Sequence, residues 1–314
     1  MQSERHRLPD PNDLSLNDFA QQLRAGGLVE RLLKLARDED MGVPAKDWTG
    51  ELMFRPEATR EVQLRAREAG IVSGLAFLPD MIAVFSPAAQ IEYECQIQDG
   101  ERVDPGATIA TLRGNAREIV ALERTMLNLI SRMSGIATRT KMFVDLVNGT
   151  DAKVCDTRKT TPGLRVFEKY AVRCGSGTTH RIGLYDAVLI KDNHIEGLSP
   201  EQIATSLQDA AYTLVEQGAC LQFMQIEVDS LDQLESVLEV CSGIVEIILL
   251  DNMDPEQLAQ AVQMRDQKGV RVLLEASGGV SEQTIRSVAL SGVDRVSVGG
   301  LTHQARSLDF GLDT

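Results

Sequence analysis

From about residue 150 onward the sequence alternates short apolar runs with segments of helical length, and no other feature constrains the fold as strongly. The runs are Lys153-Val-Cys155, Ala187-Val-Leu-Ile190, Gln225-Ile-Glu-Val228, Glu246-Ile-Ile-Leu-Leu250, Val272-Leu-Leu274 and Arg295-Val-Ser-Val298. Between the last four, connections such as 254–268 and 281–290 have the length and apolar spacing of helices. Repeated strand–helix units with nearly continuous apolar strands predict parallel strands buried on both faces. Six such runs, with one or two more not separately visible, predict a closed or nearly closed α/β barrel. A doubly wound open sheet is the alternative.

The first ~60 residues read as helical, with Leu23, Leu28, Leu32, Leu33 and Leu35 near helical spacing and a break at Gly26-Gly27. Residues 70–114 change to short strands: Ile91-Glu-Tyr-Glu-Cys-Gln-Ile97 alternates with period two, and Asp99-Gly100 signals a hairpin. The Gly100-x-x-Val103-x-x-Gly106 pattern resembles the hairpin of biotin or lipoate carriers. A carrier needs a modifiable lysine at that turn, and no lysine lies between Lys46 and Lys141. The segment therefore reads as an antiparallel sheet. Ile119, Leu122, Met126, Leu129, Ile130 and Met133 then mark a helix, expected to break or kink at Gly135 before a second helix running to about Leu146.

Composition narrows the function. Asp and Glu outnumber Lys and Arg by 46 to 32, a net charge of -14, which lacks the basic footprint of a nucleic-acid binder. No stretch approaches the ~18 apolar residues of a membrane span, and Met1–Arg7 is too polar for a signal peptide. The five cysteines are odd in number and form no CxxC pair, so neither a disulfide framework nor a zinc site is indicated. The expectation is a cytoplasmic protein.

The functional signal lies directly after each strand. The ends read Asp156-Thr-Arg-Lys-Thr-Thr161, Lys191-Asp-Asn-His194, Glu227 with Asp229, Asp251-Asn252, Glu275-Ala-Ser-Gly-Gly279 and Gly299-Gly300. One polar residue after a strand is ordinarily a turn former or helix cap. Six together, on the face where parallel barrels build their sites, predict an active site. Residues 153–191 hold eight basic and three acidic residues inside an acidic chain. Such a local positive field suits a small anionic ligand, and Arg suits carboxylates and phosphates through its bidentate fork. Glu227 and Asp251 stand opposite, placed to hold Mg²⁺ and sugar hydroxyls. Ser277-Gly278-Gly279 and Gly299-Gly300 match a barrel phosphate site, where glycine lets backbone N–H groups approach the anion. His180-Arg181 comes after the glycine-rich stretch Cys174–Thr179, a candidate anion loop. His194 and His303 also fit buried, hydrogen-bonded roles, the preferred reading for His303. Lys191 at a strand end leaves open a Schiff-base aldolase, although its neighbours Asp192, Asn193 and His194 are polar where such a lysine needs an apolar pocket.

Glu123-Arg124, Asp156-Thr-Arg-Lys-Thr-Thr-Pro-Gly-Leu-Arg165, Glu168-Lys-Tyr-Ala-Val172, His180-Arg181, Leu189-Ile-Lys-Asp-Asn-His194, Ile226-Glu-Val228, Leu249-Leu-Asp-Asn252, Glu275-Ala-Ser-Gly-Gly279 and Gly299-Gly-Leu-Thr-His303 together resemble the quinolinate phosphoribosyltransferases. The resemblance implies an N-terminal α/β sandwich domain over residues 1–121 and an incomplete, roughly seven-stranded α/β barrel over 122–314, with the C-terminal tail returning to the first domain. It implies transfer of the phosphoribosyl group of phosphoribosyl pyrophosphate to quinolinate with Mg²⁺. Pyrophosphate and CO₂ leave, and nicotinate mononucleotide forms. Arg158, His180, Arg181 and Lys191 would line the quinolinate side, with Arg124 reaching in from a second subunit of a homodimer or a multiple of dimers. Lys159 and Lys191 would lie near the pyrophosphate, Glu227 and Asp251 would serve ribose and metal, and Ser277, Gly278, Gly279 and Gly299 the 5'-phosphate. Lys159, Lys191, Glu227 and Asp251 would carry catalysis. Gly175-Ser176-Gly177 replaces the family's three successive glycines, and Thr179 its Asn before His-Arg. Together with Cys174, these departures admit a relative that acts on another pyridine or pyrimidine acid.

Overall fold

The computed structural model describes residues 7–88 and 91–314. Met1–His6, most of the segment read as too polar for a leader, lie outside the described residues. In chain order the elements begin with helices α1 (Leu16–Ala25), α2 (Leu28–Met41) and α3 (Trp48–Met53). Strands β1 (Thr59–Ala66) and β2 (Gly70–Ile71) come next, then α4 (Leu78–Phe85), β3 (Ile91–Cys95), β4 (Arg102–Val103), β5 (Thr108–Asn115) and α5 (Ala116–Leu146). The second half runs β6 (Lys153–Cys155), α6 (Arg165–Cys174), β7 (Val188–Ile190), α7 (Asp192–Ile195), α8 (Pro200–Glu216), β8 (Met224–Val228), α9 (Leu231–Val240) and β9 (Ile247–Asp251). It closes with α10 (Pro255–Lys268), β10 (Leu273–Ser277), α11 (Ile285–Leu290), β11 (Arg295–Ser297), α12 (Gly300–His303) and β12 (Phe310–Asp313).

These elements form two compact units, each assembled from separated stretches: residues 1–13, 143–158 and 178–300, and residues 14–142, 159–177 and 301–314. The division is therefore interleaved, and the boundary expected near residue 121 falls inside the continuous α5. Gly135 does not break that helix. A Cβ there would sit 1.8 Å from the Arg306 carbonyl oxygen, so glycine lets the C-terminal segment pass against α5.

In the second unit an antiparallel sheet has the order β12-β1-β5-β3, the last strand pairing with the first. Strand β3 lies at the sheet edge with only Ile91 buried, so its period-two pattern does not mark a core face; Glu92 and Glu94 instead charge an exposed edge. Helices α1 and α2 separate as expected at Gly26-Gly27, where Gly27 takes φ 69°. Phe19, Phe77, Phe167 and Tyr170 pack in one aromatic cluster, and the Tyr170 hydroxyl donates to Asp99 Oδ2 at 2.8 Å.

The first unit holds a fully parallel sheet of order β6-β11-β10-β9-β8-β7. Strands β7 to β11 each neighbour their successor, and the last returns to pair with β6. That is barrel order, not the reversal of a doubly wound sheet. β6 and β7, consecutive among the strands, are the pair left unjoined. On the free side of β6 a short seventh segment bridges at Thr178, whose N–H donates to Val154 O at 2.8 Å and whose carbonyl accepts from Asp156 N at 3.0 Å. The fold is an α/β sandwich with an incomplete parallel barrel.

The strands are not uniformly apolar. Gln225, Glu227, Glu275, Arg295, Ser297 and Cys155 share one face by register, while Ile226, Ile248, Leu274, Ala276 and Val296 occupy the other. Both sets are buried. The polar set includes a charge-paired network: Glu275 accepts from Arg295 Nε at 2.7 Å and from the Ser297 hydroxyl.

Candidate active site

Parallel pairing brings the strand ends of the first unit into line. Asp251 and Ser277 are register partners, and Glu227 lies one strand over on β8. Lys191, just past β7, places its Nζ 3.8 Å from Glu227 Oε2. Glu227 is buried, whereas Lys191 keeps about half its side chain in solvent. A desolvated Schiff-base lysine would show the reverse setting.

The Asp251 end is shaped by its neighbour. Asn252, at φ 55°, donates from Nδ2 to Asp251 Oδ2 at 2.7 Å and from its backbone N to Ser277 O at 2.8 Å. Gly278 packs against that turn: it has φ 94°, and a Cβ would meet Asn252 Oδ1 at 2.1 Å. Gly279 comes next with φ 61°. Two left-handed residues in succession leave bare backbone after Ser277, the geometry in which amides can converge on an anion. Gly299 lies two residues past β11 and is half-buried.

The His180–Arg181 turn is held at the end of β6. Asp156, fully buried after β6, accepts the His180 N–H at 2.8 Å through Oδ1. The His180 ring lies edge-on to Phe223, with centroids 5.1 Å apart. Asp186 accepts the Ile182 and Gly183 N–H groups at 2.7 and 2.8 Å and so closes the next loop. Arg181 is buried, and its Nη1 donates to Ala187 O at 3.4 Å. Desolvation first, and then the Arg158 guanidinium, lowers its pKa from the usual arginine value, with Asp186 opposing. Two mutually repelling guanidiniums in a buried setting are poised for a dianionic or polyanionic guest.

Other expected residues belong to the second unit. Arg124 is exposed on α5, and Lys159 is exposed directly after Arg158 in the chain. The backbone beyond Lys159 is anchored. The Thr302 hydroxyl donates to Lys159 O at 2.6 Å, and Glu168, fully buried, accepts the Thr161 N–H and hydroxyl at 3.0 and 2.9 Å and Arg132 Nη2 at 2.9 Å. Glu168 of that motif is therefore structural. His194 and His303 are both exposed, contrary to the buried role preferred for His303; each sits on a one-turn helix beyond a strand end.

The sequence departures also find physical places. Ser176 is exposed at φ 63°, a left-handed position that explains a glycine there in the family and carries no buried contact that a serine would disturb. Cys174 is buried at the end of α6, and burial together with Asp99 pushes its thiol well above the usual value. Thr179, where the family has Asn, bonds to the side chain of Asn12. Asn12, Gln225 and the depth of Glu275 were not singled out from the sequence. The period-two placing of Gln225 and Glu227 was the available signal.

A cavity of about 610 Å³ opens at the opposite ends of the strands, near Ile247, Leu273 and Arg295. Three of its four arginines are engaged: Arg7 with Glu246 at 2.7 Å, Arg265 with Asp294 at 2.5 Å, Arg295 with Glu275 at 2.7 Å. The convergent chemistry lies at the other end.

The family description "Quinolinate phosphoribosyl transferase, C-terminal domain" matches residues 136–313, and its N-terminal counterpart matches 47–134. The chain belongs to the quinolinate phosphoribosyltransferase family. It is 44% identical over 251 residues to the carboxylating nicotinate-nucleotide pyrophosphorylase of Mycobacterium leprae, covering 79% of this chain and 84% of that protein. A probable carboxylating nicotinate-nucleotide pyrophosphorylase of Bacillus subtilis is 34% identical over 285 residues, covering 91% and 93%. Among solved structures, the nicotinate-nucleotide pyrophosphorylase from Francisella tularensis superposes with a TM-score of 0.79 at 32% identity, covering 100% of this chain and 99% of that one. As a quinolinate phosphoribosyltransferase the chain is a pentosyltransferase, and among its described residues no helix is long and apolar enough to cross a membrane.

Proposed function

We propose that the Arg158–Arg181 pair, together with Glu227, Asp251 and the Ser277–Gly279 turn, performs phosphoribosyl transfer from phosphoribosyl pyrophosphate to quinolinate, with decarboxylation to nicotinate mononucleotide in NAD biosynthesis. The observation that carries this reading is the burial of Arg181 beside the Arg158 guanidinium, with Asp186 opposing, a setting that suits a multiply anionic ring acid.

In this reading Arg158, Arg181 and Lys191 bind the two quinolinate carboxylates, His180 shapes their loop, and Arg124 is contributed by a second subunit of a homodimer or a multiple of dimers. Lys159 and Lys191 offset the charge of departing pyrophosphate. Ser277, Gly278, Gly279 and Gly299 take the 5'-phosphate through backbone N–H groups. As the C1–pyrophosphate bond breaks, the ribose becomes oxocarbenium-like, and Glu227 and Asp251 stabilise it electrostatically. The pyridine nitrogen then bonds to C1 and becomes cationic. That cation electrostatically stabilises the carbanion left at C2 when CO₂ leaves, and C2 then takes up a proton, so no separate electron sink is required. Fixed geometry carries much of the remaining barrier reduction.

Among the described residues no cluster of three or more acidic, His or Cys side chains forms a closed cation cage. Two carboxylates on neighbouring strands fit a Mg²⁺ that would be held by few protein ligands. Glu227 and Asp251 would hold it, and it would supply charge neutralisation at the pyrophosphate.

The test incubates the protein with quinolinate, phosphoribosyl pyrophosphate and Mg²⁺ and follows nicotinate mononucleotide and CO₂ together. Equal amounts of both are expected. Lys159→Ala and Glu227→Gln should each lower turnover on the order of 10²-fold or more while leaving thermal unfolding in place. Full activity in both variants would refute the assigned site.

A further inference from the structure

We infer that Gln225 and Glu275 are positioning residues that hold His180 as the neutral tautomer protonated on Nε2, so that His180 orients Arg181 without adding charge to the site. The inference deepens the reading above and rests on it only for the kinetic consequence.

The decisive atom is His180 Nδ1. It lies 2.8 Å from the Arg181 backbone nitrogen, and a backbone N–H can only donate. Nδ1 therefore presents a lone pair, and the ring proton belongs on Nε2. That N–H points at Gln225 Oε1, 2.7 Å away, with Glu275 Oε1 at 3.5 Å. Turning the Gln225 amide over would set its NH₂ against the ring N–H, so its oxygen must face the histidine. Gln225 Nε2, buried, has no hydrogen-bond partner among the described residues, so the amide end is not what fixes this side chain.

The groups around the ring come from every neighbouring element. Gln225 faces it from β8, Glu275 from β10 and Phe223 edge-on from just before β8; Asp156 accepts the His180 backbone N–H from the end of β6, and the Arg181 backbone N–H closes on Nδ1 from the same loop. The carboxylates that would favour an imidazolium are Asp156, which accepts the His180 backbone N–H, and Glu275. The Glu275 charge is already met by Arg295 Nε at 2.7 Å and the Ser297 hydroxyl. A second ring proton would have to enter at Nδ1, against the Arg181 N–H, and would release the turn that carries the Arg181 guanidinium. The positive charge for a dicarboxylate thus comes from Arg158, Arg181 and Lys191, none of which is an imidazole titrating near neutrality.

The first experiment needs no turnover. The full chain is labelled with ¹⁵N-histidine, and the three other histidines, His6, His194 and His303, are each replaced by glutamine to isolate the His180 signal. From about pH 5.5 to 8, around the usual histidine value, the ring should remain neutral with its proton on Nε2. An imidazolium at pH 7, or a proton on Nδ1, would overturn the inference. The second arm compares Gln225→Glu with Gln225→Leu. A carboxylate at 225 should draw a second proton onto His180 near neutral pH. KM for quinolinate should then rise about ten-fold and become pH-dependent, while KM for phosphoribosyl pyrophosphate stays within about two-fold, the ten-fold corresponding to about 1.4 kcal/mol. Gln225→Leu should raise the same KM without the imidazolium signal. A neutral His180 and pH-independent KM in Gln225→Glu would remove the positioning role. Wild-type protein with the expected tautomer but no turnover of quinolinate would sink the functional reading alone.

Discussion

Asn12 and Thr179, 167 residues apart, are joined by three hydrogen bonds: Asn12 Oδ1 accepts the Thr179 N–H at 2.8 Å and its hydroxyl at 3.0 Å, and Asn12 Nδ2 donates to Thr179 O at 3.0 Å. Thr178 points its own backbone groups the other way, into β6. Asn12 therefore does for Thr179 what an adjoining strand would do, at the seam where the barrel is incomplete. The next residue is His180.

Replacing Asn12 by Ala strands the Thr179 backbone groups and frees the approach to His180-Arg181. We expect a loss of about 1–3 kcal/mol in denaturant unfolding and a raised KM for quinolinate. An unchanged midpoint and KM would show that the seam closes without it.

Glu275 is fully buried, and burial alone would raise its pKa; the Arg295 guanidinium and the Ser297 hydroxyl bonded to it lower it from the usual carboxylate value instead. A depressed folded pKa contributes stability that is present at neutral pH, above the unfolded value, and is lost as pH falls through the folded one. Glu275→Gln leaves Arg295 as an uncompensated buried charge and should cost about 3–5 kcal/mol at pH 7. The gap from wild type should narrow as the medium is acidified below about pH 4. Equal losses at pH 7 and in acid would contradict the ionised pair.

Gly278→Ala introduces a Cβ 2.1 Å from Asn252 Oδ1 at a residue with φ 94°. The strain should amount to about 1–3 kcal/mol and move the Asn252–Asp251 turn. KM for phosphoribosyl pyrophosphate should rise more than KM for quinolinate, as steady-state kinetics with each substrate varied would report. Gly106→Ala, also at positive φ but with open space around it, supplies the control for strain away from the site.

Cys95 and Cys220 are the exposed thiols, whereas Cys155, Cys174 and Cys241 are buried. Burial pushes Cys155 up to about 12 and Cys241 up to about 11. Alkylation of the native protein should modify Cys95 and Cys220 alone, and all five after denaturation, as counted by intact mass. Rapid native labelling of Cys174 would contradict its burial.

Local sequence determined the strand–helix repeat, and with it the end of the barrel where polar residues collect, because parallel strands joined by helical crossovers must all point one way. Asp156, Lys191, Glu227, Asp251 and Ser277-Gly278-Gly279 were legible for that reason, and the glycines also because left-handed backbone favours them. The return of β11 to β6 and the seam at Thr178 were decided by long-range pairing, which leaves no local pattern. The polar interior face was hidden because Gln225, Glu275 and Arg295 lie among apolar residues and show their partners only when separate strands come into register. The Nε2 proton of His180 is fixed by a backbone N–H on one side and Gln225 on the other. Asn12 reads in the sequence as one more polar residue of a leading segment; only a folded barrel with one unpaired edge makes it a structural partner of the site.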